Sequence, residues 1–507
     1  MNGAAVIAEI LKREGTEFLS CYPRNPLIEA SAAVDIRPIL CRQERVGVGI
    51  ADGYSRVKRG KRNGVFAAQA GPGIENAFPG VAQAFSENVP LLVIAGGMPL
   101  GRQYVRPVFR AASVFRPVTK WSALAHSVQD YAPVPVQRAA PDPAAVKKAV
   151  EMLLAAKQPL LWAGQGVHYA EASEQLAALA ELLPAPVVAT NPGKSAIADS
   201  HPLALGAATR SRSKMFADFM GRADLILAIG SSLTVTNFGP SVPPGKTIIH
   251  SSNDAFDINK EYRADHALVG DAALVIDALI TELNRRKSGS DHNTLAALKA
   301  DIAAGKKAWL DEWSKHLNSD EIPINQYRVI RDLMRTLGRD NVIITHDSGS
   351  PREQLLPFWE TTVPGSYLGW GKSTQLGYGL GITMGAKLAA PQKLCVNVMG
   401  DAAIGMTGMD IETAARNRIA ILTVVFNNGV MAAERDVLKL STKKYGALTV
   451  SGNYAKVAEG LNVASARVEK PAAIVPAIKD AVAVTETGAP FLLEFVVKEG
   501  YDFSRYS

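Results

Sequence analysis

The stretch Leu394-Cys395-Val396-Asn397-Val398-Met399-Gly400-Asp401-Ala402-Ala403, read with the pair Asn427-Asn428, decides the fold of this chain. Its first six residues form an apolar run that reads as a buried parallel strand. A helix-compatible stretch follows over 409–416, and a second apolar run over 419–426 delivers the two asparagines. This is one strand–helix–strand unit with a polar cluster at the carboxyl end of each strand, where open α/β sheets bind ligands. Asp401 offers an anionic oxygen and Asn428 a neutral amide oxygen. Such hard oxygens suit Mg²⁺, which leaves coordination positions for ligand phosphates. Small Ala402 and Ala403 let backbone N–H groups at a helix start approach those phosphates.

Working outward, Arg42-Gln43-Glu44-Arg45-Val46 runs into Ala51-Asp52-Gly53-Tyr54-Ser55-Arg56 near the N-terminus. Gln69-Ala70-Gly71-Pro72-Gly73-Ile74-Glu75-Asn76 and Asn88-Val89-Pro90-Leu91-Leu92-Val93-Ile94-Ala95-Gly96 come next. The first unit, with Asn428 standing 27 positions after Asp401, resembles the diphosphate-binding signature of thiamine-diphosphate enzymes. The likeness is closest to their acetolactate synthase-like branch, where Ala often takes the third place. The N-terminal segments resemble the same family's catalytic-glutamate helix, its pyrimidine-side turn and the strand that follows.

Composition agrees with a multidomain globular chain. Its 507 residues exceed one ordinary core, and 47% hydrophobic with 20% charged residues is globular. The net charge of +7 is spread along the chain without a basic block interleaved with aromatics, so nucleic-acid binding is not expected. No apolar run reaches the ~20 residues of a membrane span. Cys21, Cys41 and Cys395 lie far apart without metal-ligand spacing and read as reduced core residues of a cytoplasmic protein. The start, Met1 to Arg13, reads as an amphipathic helix rather than a signal peptide.

Three α/β units are expected, each a doubly wound parallel sheet. The first, 1–130, alternates helices with strands over 17–21, 36–41, 64–68 and 91–95. A Pro-rich linker over 131–143 leads to the second unit, 141–285. It has strands over 159–162, 187–190, 225–229 and 247–249, and helices over 144–156, 172–183 and 272–283. The polar run Arg285 to Ser290 reads as a linker before the third unit, 325–507. The resemblance makes these the pyrimidine-binding, central and diphosphate-binding domains. It also expects one more strand closing the first unit, but Ser127 runs almost directly into the linker. A segment missing after Ser127 is the favoured reading, because losing a sheet strand would expose its neighbour's unpaired edge.

The resemblance implies thiamine diphosphate with Mg²⁺, and a reaction that breaks or forms a carbon–carbon bond of a 2-keto acid or 2-hydroxy-carbonyl compound. Glu44 is the implied catalytic residue, exchanging a proton with the cofactor's pyrimidine N1′. Gly71, Pro72, Asn76, Thr374, Leu376, Gly400, Asp401, Ala402, Ala403, Asn428 and Val430 are the implied cofactor contacts. Leu376, in Gly371-Lys372-Ser373-Thr374-Gln375-Leu376-Gly377-Tyr378-Gly379, matches the apolar wedge that bends the cofactor. Asp401, Asn428 and the Val430 carbonyl are the implied Mg²⁺ ligands. Active sites at the interface of a homodimer or homotetramer are implied as well.

Departures from the family narrow the reading. Segments matching the synthases' flavin contacts, Leu205 to Ser211 and Ser231 to Thr236, lack the His-Gly pair and the Arg-Phe-Asp-Asp-Arg run, so FAD is not expected. Tyr22-Pro23-Arg24-Asn25-Pro26 stands where the synthases carry Gly-Gly. Arg24, Asn25 and Arg106 are the substrate candidates, the arginines through bidentate contacts to carboxylate or phosphate. No histidine lies between Gly96 and Arg116, and Ala67 replaces a pocket His. A simple decarboxylase would need a proton donor there, so carboligation or lysis is favoured. A simple decarboxylase, a flavin-linked oxidase and a non-catalytic homologue are the alternatives. Gly193-Lys194-Ser195, Gly245-Lys246-Thr247 and Gly371-Lys372-Ser373 each end like a P-loop but lack its first glycine, which excludes that motif.

Overall fold

The structure is a computed structural model that describes residues 2–506 apart from 103, 107, 126–136, 287–290 and 501. Helices and strands alternate along most of the chain and build three sheets. The first contains β1 (Phe18–Cys21), β2 (Arg37–Leu40), β3 (Gly64–Ala68) and β4 (Leu91–Ala95) in the parallel order β2-β1-β3-β4. Every residue of β1 and β3 is buried. Continuous apolar runs of this kind suit parallel strands covered on both faces by helices.

The central sheet contains β5 (Pro159–Ala163), β6 (Val187–Ala189), β7 (Ala204–Ala207), β8 (Leu225–Ile229), β9 (Thr247–Ser252) and β10 (His266–Val269). Its order is β10-β9-β8-β5-β6-β7, so the winding reverses between β5 and β8. After β11 (Val342–His346) and the two-residue β12 (Tyr367–Leu368) come β13 (Leu394–Gly400), β14 (Ile421–Asn427), β15 (Ala464–Val468) and β16 (Phe491–Val496). In the third sheet β11, β13, β14, β16 and β15 stand side by side in that order. Register pairs Gly400 with Phe426, which brings Asp401 and Asn428 to the same sheet edge.

Three α/β sheets are therefore present as expected, and the limits of β3, β4 and β8 coincide with the sequence reading. Of the third sheet only β13 and β14 were foreseen, and in the central sheet β7 and β10 were not. β7 includes Gly206, and β10 lies at a sheet edge with partly exposed residues, so neither presents a long apolar run. The two presumed linkers are shorter than expected: Pro143 opens the helix Pro143–Ala155, and Arg285 and Arg286 close the helix Ala272–Arg286. Ser127 lies outside the described residues. Among those described, β4 is an edge strand, and its Leu92 is 41% exposed.

Two compact units emerge. The first and third sheets share one, and the central sheet with Arg352–Gly371 belongs to the other. The three cysteines are free and buried, and burial pushes the Cys21 and Cys395 thiols up to about 12, which leaves them unreactive. Among the described residues no helix is long and apolar enough to cross a membrane.

Candidate active site

Glu44 is the first residue of the helix Glu44–Val57 and is only 4% exposed. Burial raises its carboxyl above the usual range, opposed by its own backbone N–H and by the Asn76 side chain. Gly73 lies directly beneath it. A Cβ there would stand 3.4 Å from Glu44 Oε1 and 2.7 Å from Gln69 Cγ. Gly71 has φ +70, and a Cβ built on it would meet nothing within 4 Å. The turn thus packs under the glutamate at Gly73 and opens onto free space at Gly71.

At the edge of the third sheet, Asp401 opens the helix Asp401–Thr407. Its Oδ1 accepts from Ala402 N at 2.7 Å, and its Oδ2 accepts from Asn428 N at 3.1 Å and Gly429 N at 2.7 Å. Asn428 Oδ1 accepts from Val430 N at 3.1 Å. These bonds draw the carboxylate, the amide oxygen and residue 430 into one tight turn. Burial raises the Asp401 carboxyl, while the backbone N–H groups pull it down. Asn427 has a different part: its Nδ2 donates to Glu494 Oε1 at 2.6 Å and Gly452 O at 3.0 Å, which fixes the turn to the core. Among the described residues no group of three or more His, Cys, Asp or Glu side chains is placed to hold a metal ion. One carboxylate beside neutral oxygens fits a divalent cation that takes its other ligands from a diphosphate.

Leu376 is half-buried and packs on a cluster that includes Met399, Ala403, Ile404 and Tyr454, against the helix that Asp401 begins. Its flanking residues reach the other half of the site. Lys372 N donates to Glu87 Oε1 at 2.5 Å and Gln375 N to Gln83 Oε1 at 3.2 Å. Gln83 lies on the helix Pro72–Ser86, which also carries Gly73 and Asn76 beside Glu44. Gly377 N and Gly379 N donate to Asp347 at 2.8 and 2.9 Å. Behind them the helix Tyr378–Ala389 crosses Glu44–Val57 at backbone contact, where a Cβ on Gly49 would lie 3.1 Å from Gly381 Cα. The two helices meet within one chain.

Asp347, Gln83 and Glu87 escaped the sequence reading. Asp347 had the same signal as Asp401, an Asp just beyond an apolar strand. Gln83 and Glu87 are an i, i+4 polar pair at the end of an otherwise apolar helix face. Burial lifts the Asp347 carboxyl to about 6, against the pull of the Gly377, Gly379 and Ser348 N–H groups and the Arg45 guanidinium. A raised folded value means the native state holds this proton more tightly than the unfolded chain. The contribution is fully present below about 3.8 and is lost as pH rises through about 6. Asp347→Asn is therefore expected to flatten the fall in stability between pH 4 and 6, by about 3 kcal/mol at most. Urea unfolding at a series of pH values measures this, and an unchanged slope would count against it.

The substrate candidates are less gathered. Arg24, at φ +77, and Arg106 are exposed. Asn25 is 8% exposed: its Nδ2 donates to Ala68 O at 2.9 Å and Ile94 O at 3.3 Å, and its Oδ1 accepts from Leu27 N at 3.0 Å. That amide caps a helix and ties two strand ends together. Arg110 lies over the Tyr104 ring at 4.5 Å. In the other compact unit, the segments expected to lack flavin contacts are bound into their own fold. Thr209 Oγ1 and Ser211 N donate to Glu353 Oε2 at 2.6 and 3.1 Å, and Leu233 N donates to Ser231 Oγ at 3.2 Å.

Comparison with known proteins finds three family models in order along the chain. Residues 1–114 match the N-terminal TPP binding domain of thiamine pyrophosphate enzymes, 146–279 their central domain and 347–495 their C-terminal TPP binding domain. A probable acetolactate synthase large subunit of Methanococcus aeolicus is 28% identical, over 98% of this chain and 92% of its own length. The probable large subunit of Methanocaldococcus jannaschii matches at the same identity and coverage. The acetolactate synthase large subunit of Corynebacterium glutamicum is 26% identical over 98% of this chain and 87% of its length. The alignment with the Methanococcus protein runs over 563 positions, so that relative carries insertions that this 507-residue chain lacks.

Proposed function

We propose that this chain, which belongs to the thiamine-diphosphate enzymes in their acetolactate synthase-like branch, joins a two-carbon unit taken from a 2-keto acid to a second carbonyl compound. The observation that carries the reading is a convergence. Glu44 stands beside the open Gly71 turn, and the segment holding Leu376 is bonded to the same helix as that turn. Bound thiamine diphosphate would supply a nucleophilic carbon able to add to a carbonyl. Glu44 holds a proton at the pyrimidine N1′. Gly71, Pro72, Asn76 and the Thr374 carbonyl border the pyrimidine, Leu376 is the wedge, and Gly400, Ala402 and Ala403 flank the diphosphate. Asp401, Asn428 and the Val430 carbonyl would hold Mg²⁺.

Asp401→Ala removes the only carboxylate of that metal set. Its affinity for thiamine diphosphate in the presence of Mg²⁺ is expected to fall at least about a hundredfold. Calorimetric titration with and without a chelator measures the loss. Affinity that survives, or that never depended on the metal, would remove Asp401 from the role.

Scarcity of proton donors supports ligation over simple decarboxylation. No histidine lies between Gly96 and Arg116, and Ala67 is fully buried and apolar. The deciding experiment feeds 2-keto acids and 2-hydroxyacyl compounds, with and without aldehyde or keto-acid acceptors, and reads products by mass spectrometry. Free aldehyde as the sole product would overturn carboligation. Because the segments 205–211 and 231–236 lack the synthases' His-Gly pair and Arg-Phe-Asp-Asp-Arg run, the purified protein is expected to be colourless; a bound yellow flavin would argue for the oxidase alternative.

Arg24 and Arg106 are proposed to choose the substrate by binding an anionic group at the site mouth, with Asn25 shaping the turn. Arg106→Ala is expected to raise the KM for an acidic substrate about tenfold or more, from the ~1.5–3 kcal/mol of a charge-assisted hydrogen bond. A neutral aldehyde acceptor should be unaffected. Equal changes for both would place Arg106 outside the site.

A further inference from the structure

We propose that Asp347 and Glu87 are positioning residues for the reaction: two buried carboxylates that clamp the ends of the segment 372–379 and so fix where Leu376 stands. The proposal rests on the assignment of Leu376 as the wedge, and goes beyond it by naming what holds the wedge in place.

Both carboxylates are fully buried. Asp347 follows β11, and its Oδ1 accepts from Gly377 N and Ser348 N, each at 2.8 Å. Its Oδ2 accepts from Gly379 N at 2.9 Å. The chain passes so close that no side chain fits at either glycine. Gly377 has φ +85, and a Cβ there would lie 2.4 Å from Thr407 Oγ1; a Cβ on Gly379 would lie 2.6 Å from Asn397 Oδ1. Thr407 Oγ1 also donates to Gly377 O at 3.0 Å. At the other end Glu87 Oε1 accepts from Lys372 N at 2.5 Å and from Gln83 Nε2 at 3.4 Å.

The residues between the clamps, 373–376, are only half-buried, so core packing alone does not hold them. Burying a carboxylate is costly, and it is tolerated where charged acceptors meet backbone donors. Acceptor oxygens that meet backbone N–H groups at both ends of the segment hold it stiffly in place. Such stiffness matters where a displacement of about 1 Å changes a rate a hundredfold. Asp347 fixes the residue after Leu376, and Gln83, itself bonded to Glu87, fixes the residue before it. Leu376 therefore stands between two pinned amides, one held from each half of the site.

The test uses Asp347→Asn, Glu87→Ala, Glu87→Gln, Leu376→Ala and the double variant Asp347→Asn/Leu376→Ala, all in the full chain. Amide hydrogen exchange of cofactor-free protein is read first. In Asp347→Asn, whose new NH₂ faces a glycine N–H, and in Glu87→Ala, amides over 372–379 should exchange about tenfold faster, with the rest unchanged. Glu87→Gln keeps an acceptor oxygen and should behave as wild type. Then C2–H/D exchange of added thiamine diphosphate should fall about ten- to a hundredfold in Asp347→Asn and Glu87→Ala, at nearly unchanged cofactor affinity. In the double variant it should fall no further than in Leu376→Ala alone, since residues acting through one another are not additive.

Unchanged amide exchange over 372–379, or additive losses in the double variant, would overturn the proposal. Should Asp347→Asn fail to fold, the Glu87 pair decides. A wild-type protein that binds no thiamine diphosphate would defeat the functional reading instead, while amide exchange would still decide whether the carboxylates clamp the segment.

Discussion

Glu44→Gln is expected to slow C2–H/D exchange of bound thiamine diphosphate by about 10²- to 10⁴-fold, the range that general acid–base catalysis supplies. The amide matches the carboxylate in size, so the helix start and the packing over Gly73, where a Cβ would stand 3.4 Å from Glu44 Oε1, stay intact. What is lost is the capacity to exchange a proton with a ring nitrogen. Burial already holds the Glu44 carboxyl above its usual range, so its proton is retained closer to neutral pH than that of an exposed glutamate. Cofactor affinity should change little, because the diphosphate is assigned to the Asp401 turn. Exchange at the wild-type rate would remove Glu44 from catalysis. Mixing Glu44→Gln with Asp401→Ala protein adds a second readout. Activity restored on subunit exchange would mean each site draws on two chains. No restoration would argue for sites built within one chain.

The largest expected loss of stability comes from a methyl group. In Gly385→Ala the new Cβ would stand 2.0 Å from Ile50 O and 2.6 Å from Tyr54 N. Gly53→Ala repeats the collision in reverse, 2.0 Å from Ile382 O. Inserting atoms into a packed core costs about 1–3 kcal/mol when side chains can move. Here the obstacle is helix backbone, so the helices must part. The loss is expected at or above about 3 kcal/mol. Gly460→Ala is the control: a Cβ there meets nothing within 4 Å, and Ala suits a helix better than Gly by roughly 0.5–1 kcal/mol. Thermal melting of the three variants gives the comparison. Equal melting temperatures would mean that the helix crossing has no need of its glycines.

Much of the protein was determined locally and so was legible in the sequence. Apolar runs bounded by turn residues gave β3, β4, β8, β13 and β14, because a strand buried on both faces needs uninterrupted hydrophobic residues. The same logic set Asp401 and Asn428 at one sheet edge, since parallel strands of one unit must end together. Short or edge strands such as β7 and β10 carried too little pattern to be seen.

Tertiary structure alone decided what each polar residue is for. Asn427 and Asn428 are adjacent and identical in type, yet one bonds Glu494 in the core while the other faces the Asp401 turn. Asn25 was a substrate candidate by position, but the fold uses its amide to cap a helix and join two strand ends. Asp347 and Glu87 looked like ordinary acidic residues until the chain returned from 372–379 to supply their N–H partners. Gly49, Gly53, Gly381 and Gly385 likewise gave no sign that they faced one another. Strand and helix formation depend on neighbours along the chain. Hydrogen-bond satisfaction and close backbone approach depend on neighbours in space, and these are separated here by as many as several hundred residues.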